Sequence, residues 1–150
     1  GLASAVLRTT ESIMVRSAPA TCTPSTVALS IRQPSMVALT GAVSLSTAFA
    51  NDVSPEMVFA QQVYGYGRPG DMLLGLSTSG NSRNIVLAMI CARALGLRTV
   101  AMTGPSGGRL RDIADVTIAV PGAETLEVQE RHLPVYHALC VVLEERFFAS

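Results

Sequence analysis

Residues Asp71–Ser82 read DMLLGLSTSGNS, and the reading of this stretch decides the fold. Its first half, Asp71 to Ser77, is an apolar run of strand length. Its second half, Ser77 to Ser82, places four hydroxyls, a glycine and an asparagine in six positions. The following segment, Asn81 to Leu95, is apolar almost all round and closes on Gly96 at the expected C′ position, the pattern of a buried helix. A buried strand, a polar turn and a helix in that order predict one unit of a parallel sheet. In open α/β sheets ligands bind beyond the carboxyl ends of the strands, where this turn falls.

Working outward, the pattern repeats. Arg98 to Thr103 reads as the next strand, followed by the turn Gly104-Pro105-Ser106-Gly107-Gly108 and a short helix to Ile113. Val116 to Val120 reads as another strand, and Glu124 to Phe148 as a long helix interrupted by Pro134. Upstream, Pro55 opens a helix that runs to about Tyr64 and stops at Gly65 and Gly67. Strands that are continuous apolar runs, alternating with helices, imply a sheet covered on both faces. The expected class is α/β: a three-layer α/β/α sandwich with a mostly parallel, flavodoxin-like doubly wound sheet, one domain over residues 1–150.

The first third of the chain is less regular. Leu2 to about Val15 is expected as a helix with Val6, Ile13 and Met14 on a loosely apolar side, and Ser17 to Thr26 as loop. Val27 to Ile31 and Met36 to Thr40 read as short strands. Only Arg32 to Ser35 separate those two, whereas a parallel crossover needs about ten or more residues. They form a hairpin, or the first is no strand, or a crossover unit is missing here.

Composition narrows the function. The 150 residues carry no lysine; all 11 basic residues are arginine, balanced by 11 acids. A Schiff-base aldolase, a pyridoxal-phosphate enzyme and a Walker-type NTPase each need a lysine at the reacting centre, so all three are excluded. Zero net charge leaves no electrostatic footprint for nucleic acid or an anionic membrane. Few charges and a positive mean hydropathy of +0.40 suggest a surface partly covered by partner subunits. Cys22, Cys91 and Cys140 lack the spacing of a zinc knuckle or redox pair and read as small hydrophobes in a reducing cytoplasm. Ala18-Pro19-Ala20 has the form of a cleavage site, but Arg8 to Ser12 is no apolar signal core. The uncharged run Gln33 to Asn51 is broken by Pro, Gly and Ser/Thr and is no membrane span. The expectation is a cytoplasmic protein; the sequence starts at Gly1, so its natural start is not shown.

The Ser77–Ser82 turn has the parts of a phosphate cradle without lysine: neutral donors, close backbone approach at Gly80, and a helix N-terminus. Its plain alternative is a serine-rich turn with Asn81 or Ser79 as an ordinary N-cap. On the last predicted helix, Gln129, Leu133 and His137 follow an i, i+4, i+8 series that keeps Gln and His within about 80° of one another. His137 there also reads as a core histidine bonded to a carbonyl.

STSGNS, with GRPGDMLLGLSTSGNSRNIVLAM around it and RTVAMTGPSGGRL, DIADVTIAVP and VQERHLPVYHALCVVLEE downstream, resembles the SIS (sugar isomerase) family. The branch it resembles is that of the phosphoheptose isomerases. The likeness runs upstream through STAFANDVSPEMVFAQQVYGYG to about Arg32, so 32–150 is family-like and 1–31 atypical. The resemblance implies that Ser77, Thr78, Ser79 and Ser82 hold a substrate phosphate. It implies that Asn51 and Asp52, on a loop after Ser46 to Ala50, contact the sugar. Gln129 and His137 would bind zinc or act in acid–base transfer, with Gln129 also at the substrate and His137 catalytic. The implied reaction is aldose–ketose isomerisation through an enediol, from sedoheptulose 7-phosphate to a heptose 7-phosphate, in a homotetramer with sites between subunits.

One departure bears on mechanism. The family's first strand is followed by a Gly-Asn-Gly-Gly-Ser loop and a helix bearing a His and a Glu, the latter as catalytic base. None of these is in this sequence, and their place falls in Ser17 to Ile31, where the crossover argument finds too few residues. The alternative function is a non-catalytic SIS module that binds sugar phosphate or a protein such as a replication initiator. A third is an assembly protein using the fold to oligomerise.

Overall fold

The computed structural model describes residues 12–16 and 35–148. Five strands form one sheet: β1 (Ser12–Arg16), β2 (Ser35–Ala38), β3 (Met72–Ser77), β4 (Arg98–Thr103) and β5 (Val116–Ala119), in the order β2-β1-β3-β4-β5. The helices are α1 (Val43–Asp52), α2 (Val58–Tyr66), α3 (Arg83–Ala94), α4 (Gly108–Ile113) and α5 (Thr125–Phe148). Short 3-10 turns, Leu39–Gly41 and Pro55–Met57, precede α1 and α2.

The expected βαβ repeat is present from β3 onward. β3 pairs parallel with β4 in register Met72↔Arg98 to Ser77↔Thr103, and β4 with β5 from Val100↔Val116. Both polar turns therefore leave the same edge of the sheet, one after β3 and one after β4. β1 departs from that pattern, running antiparallel to both β2 and β3. The helix expected over Leu2 to Val15 is corrected at its end: Ser12–Arg16 is a strand. Ile13-Met14-Val15 is a contiguous apolar run with two β-branched residues, which suits a strand between two neighbours better than a 3.6-residue repeat. Val27 to Ile31 lies outside the described residues; the strand that pairs with β2 is β1.

Two cores make the three layers. On one face Leu73 and Ala101 of the sheet pack with Val63 of α2 and Ile85, Val86 and Met89 of α3, joined by Leu110 of α4. Gly75 marks the close approach of α3, since a β-carbon there would meet Met89 Cε at 2.6 Å and Ile85 Cγ2 at 2.8 Å. On the other face Leu74 and Met102 pack against Val135, Tyr136, Leu139 and Cys140 of α5.

α5 is continuous across Pro134, correcting the interruption expected there. Proline removes one i→i−4 hydrogen bond, and the apolar series of α5 packed on the sheet carries the helix through it. Among the described residues, no helix is long and apolar enough to cross a membrane.

Candidate phosphosugar site

The loop after β3 folds around its own hydroxyls. Ser77 is only 5% exposed and its Oγ donates to Ser82 Oγ at 2.8 Å, while the Ser82 N–H points back to Ser77 Oγ at 3.4 Å. Gly80 N–H donates to Ser77 O at 3.0 Å, closing the turn. Ser79 Oγ accepts the Asn81 N–H at 3.1 Å. A serine hydroxyl has one proton and two lone pairs. Ser79 Oγ, accepting the Asn81 N–H, keeps its own proton for another acceptor, while the Ser77 and Ser82 hydroxyls share one bond. Ser79 and Ser82 are exposed, Thr78 half-buried.

Ser82 is the residue before α3 and makes no side-chain cap bond, so the start of α3 lies on the same loop, its Ile85 N–H donating to Asn84 Oδ1 at 2.9 Å. The result is a neutral, hydroxyl-rich loop at a helix N-terminus, suited to an anion. Gly80 makes the turn possible. Its φ is +67°, and a β-carbon would collide with Gly107 O of the loop after β4.

That second loop is part of the same construction. Gly104 N–H donates to Thr78 O at 2.9 Å, Leu110 N–H to Gly80 O at 3.0 Å and Arg109 N–H to Asn81 Oδ1 at 3.0 Å. The Gly104–Gly108 turn, expected only as the connection after β4, is interlocked with the first loop. Paired left-handed glycines in both turns, Gly80 and Gly107-Gly108, were the signal available.

The other candidate residues lie on two other elements, α1 and α5. Asn51 and Asp52 are exposed and form the last turn of α1, which corrects their expected placement on a loop. The uncharged run before them sustains a helix as far as Asp52. The chain then passes through Ser54, whose hydroxyl caps the turn at Glu56, to the Glu56 carboxylate, 2.9 Å from Arg83 Nε. Arg83 directly follows Ser82, so a residue four positions beyond the end of α1 is tied to the first residue of α3. This ion pair was not anticipated from the sequence, which places the two residues 27 positions apart (83 − 56).

Gln129 and His137 are on α5, and both are exposed. Val128, His132, Val135 and Leu139 form the face of α5 turned to the sheet, which sets Gln129, Leu133 and His137 on the adjoining exposed stripe. The His137 ring stands edge-on to Tyr136, centroids 5.1 Å apart. The core histidine bonded to a carbonyl exists, but it is His132: 2% exposed, its Nε2 is 3.1 Å from Thr103 O at the end of β4. Glu127 caps α5 by accepting the Ala123 N–H at 3.0 Å, and that bond with Arg131 holds its carboxyl below the ordinary range. Burial pushes the thiols of Cys91 and Cys140 up, as expected of inert cysteines; Cys22 lies outside the described residues.

A zinc site needs at least three protein ligands. Among the described residues no group of three or more His, Cys, Asp or Glu is gathered, so Gln129 and His137 are a pair of donors without a completed set.

Fold and loop together define an α/β domain with a hydroxyl-rich loop at the carboxyl end of its sheet, and comparison with known proteins places it: the chain belongs to the SIS domain family, whose model matches residues 27–104. That match includes Asn51, Asp52 and the whole Ser77–Ser82 loop and ends before α5. The phosphoheptose isomerase of Akkermansia muciniphila is 50% identical over 122 residues, covering 80% of this chain and 65% of that protein. The probable phosphoheptose isomerase of Thermoplasma acidophilum is 43% identical over 111 residues, covering 74% and 61%. Among solved structures, the phosphoheptose isomerase of Neisseria gonorrhoeae superposes with a TM-score of 0.69 at 40% identity, covering 71% of this chain and 61% of that one. That of Francisella tularensis gives 0.70 at 37%, covering 73% and 61%. The chain thus spans less than two thirds of the length of these relatives.

Proposed function

We propose that this chain holds a phosphorylated sugar by its phosphate at Ser77–Ser82 and serves aldose–ketose isomerisation, with sedoheptulose 7-phosphate as the substrate. The observation that carries the reading is the loop itself: two exposed hydroxyls, Ser79 and Ser82, at the N-terminus of α3, the Ser79 oxygen already accepting the Asn81 N–H. Relatives named as phosphoheptose isomerases at 40–50% identity supply the reaction.

Isomerisation moves a proton between neighbouring carbons through an enediol, and needs a phosphate handle, an acid at the carbonyl oxygen and a base at the carbon. Ser79, Ser82 and Thr78 are the handle. Asn51 and Asp52 are assigned to the sugar hydroxyls, Gln129 to the substrate and His137 to proton transfer. The exposed stripe on α5, where Leu133 and Val141 flank His137, supports a homotetramer in which a neighbouring copy covers that face. The setting proposed is the cytoplasm, and zinc is the metal the resemblance implies, with no step assigned to it.

The second reading is binding without turnover. It is favoured by one observation: the Glu56 carboxylate, paired with the residue that follows Ser82, is already tied to Arg83. Isomerase assay of sedoheptulose 7-phosphate separates the two. Turnover lost in His137→Ala supports the enzyme; a folded protein that binds the sugar phosphate without converting it supports the module.

A further inference from the structure

Asn81 lies in the middle of the cradle sequence, where the plain expectation is an N-cap. It is not one: Ser82 holds that position, and the Asn81 side chain reaches instead to the loop 28 residues further on. Its Oδ1 accepts the Arg109 N–H at 3.0 Å, its Nδ2 donates to Ser79 O at 3.1 Å, and its own N–H donates to Ser79 Oγ at 3.1 Å. One residue therefore fixes both the carbonyl and the hydroxyl of Ser79 and anchors them to the start of α4. The packing is close. A β-carbon at Gly108 would stand 2.5 Å from Ser79 O and 2.8 Å from Asn81 Nδ2, so only glycine there lets the two loops meet.

The bonds have a consequence for the second turn. The Arg109 and Leu110 N–H groups, which at another helix start would face solvent or a ligand, are both given to the first loop, at Asn81 Oδ1 and Gly80 O. α4 is thus a brace for the cradle. Affinity for a small anion depends on donors held in place before it arrives, since ordering them on binding costs free energy.

We infer that Asn81 is the positioning residue of the cradle, bridging the loops after β3 and β4 so that the Ser79 hydroxyl is aimed before the phosphate binds. This rests on the phosphosugar reading above. It is tested by titration calorimetry with sedoheptulose 7-phosphate and with inorganic phosphate, alongside amide hydrogen exchange of the unliganded protein.

In Asn81→Ala the expectation is roughly tenfold weaker binding of both probes, with faster exchange at the Arg109 amide and an unchanged Leu110 amide. Arg109→Pro deletes the same bond from the other side, at a first-turn position where proline is tolerated. It should weaken binding similarly, and the double variant should lose little more than either single one. Wild-type affinity in Asn81→Ala, an Arg109 amide that exchanges at the wild-type rate, or additive losses in the double variant would each overturn the inference alone. A wild-type protein that binds neither probe would overturn the phosphosugar reading and this one with it.

Discussion

Ser79 and Ser82 are both exposed and both bonded within their own loop. Ser79 Oγ accepts the Asn81 N–H and keeps its proton for another acceptor, while Ser82 Oγ shares a bond with Ser77 Oγ. The sequence could place them at a strand-to-helix junction, but this division of donor and acceptor roles follows from backbone geometry that no spacing rule reports. The same limit applies to the histidines. The periodicity of α5 put Gln129 and His137 on a common stripe, and they are on one, but it gave no reason to prefer His132 for the buried position. Thr103 O, on a strand 29 residues away, selects it. His132→Ala removes one of the two hydrogen bonds at that carbonyl, the Val120 N–H keeping the other at 3.0 Å, and is expected to cost roughly 0.5–1.5 kcal/mol, read as a lower denaturation midpoint. Gly80→Ala should be at least as damaging, because the added methyl meets Gly107 O and the backbone must hold a positive φ. A circular-dichroism melt comparing it with wild type checks this.

At the scale of elements, β3, α3, β4 and β5 were legible to within a residue or two, because each is a contiguous apolar run or a capped apolar helix. The strand Ser12–Arg16 was not: its pairing partners β2 and β3 are 19 or more residues distant, and only the assembled sheet makes an antiparallel strand of it. α1 was missed altogether for the opposite reason, since its Ser/Thr/Ala composition carries little amphipathic signal.

A tie that sequence could not show joins β4 to β5. Asp115 Oδ2 accepts the Thr99 N–H at 2.8 Å and the Thr99 hydroxyl at 3.1 Å, while the Asp115 N–H donates to Thr99 Oγ1 at 3.0 Å. The Thr99 backbone bond, foremost, holds the Asp115 carboxyl below the ordinary range. A carboxylate depressed in the folded state contributes stability that is full above its unfolded pKa and lost as pH falls through its folded one. Acid denaturation below about pH 4 should therefore be steeper in wild type than in Asp115→Asn. Parallel curves would remove Asp115 from the account of acid stability.

For the whole molecule, the three-layer arrangement puts both interlocked loops at one edge of the sheet and the Gln129–His137 stripe on the outside of the opposite layer. Leu126, Leu133, Val141 and Val142 are exposed on that helix, as are Val43 and Val53 at the ends of α1. If a second copy covers α5, as proposed, Leu133→Asp combined with Val142→Asp should shift sedimentation toward smaller species and reduce turnover more than phosphate affinity. Unchanged sedimentation would place the subunit contacts elsewhere. The low charge of the sequence had suggested such covered surface, without indicating which helix carries it.

The central claim is that Ser77–Ser82 binds the phosphate of a sugar phosphate, and calorimetric titration of wild type and Ser79→Ala with sedoheptulose 7-phosphate tests it most directly. Loss of one hydroxyl donor to a charged oxygen should weaken binding about 10- to 100-fold with little change in melting temperature. Equal affinity in the two proteins, or no binding by wild type, would contradict the claim.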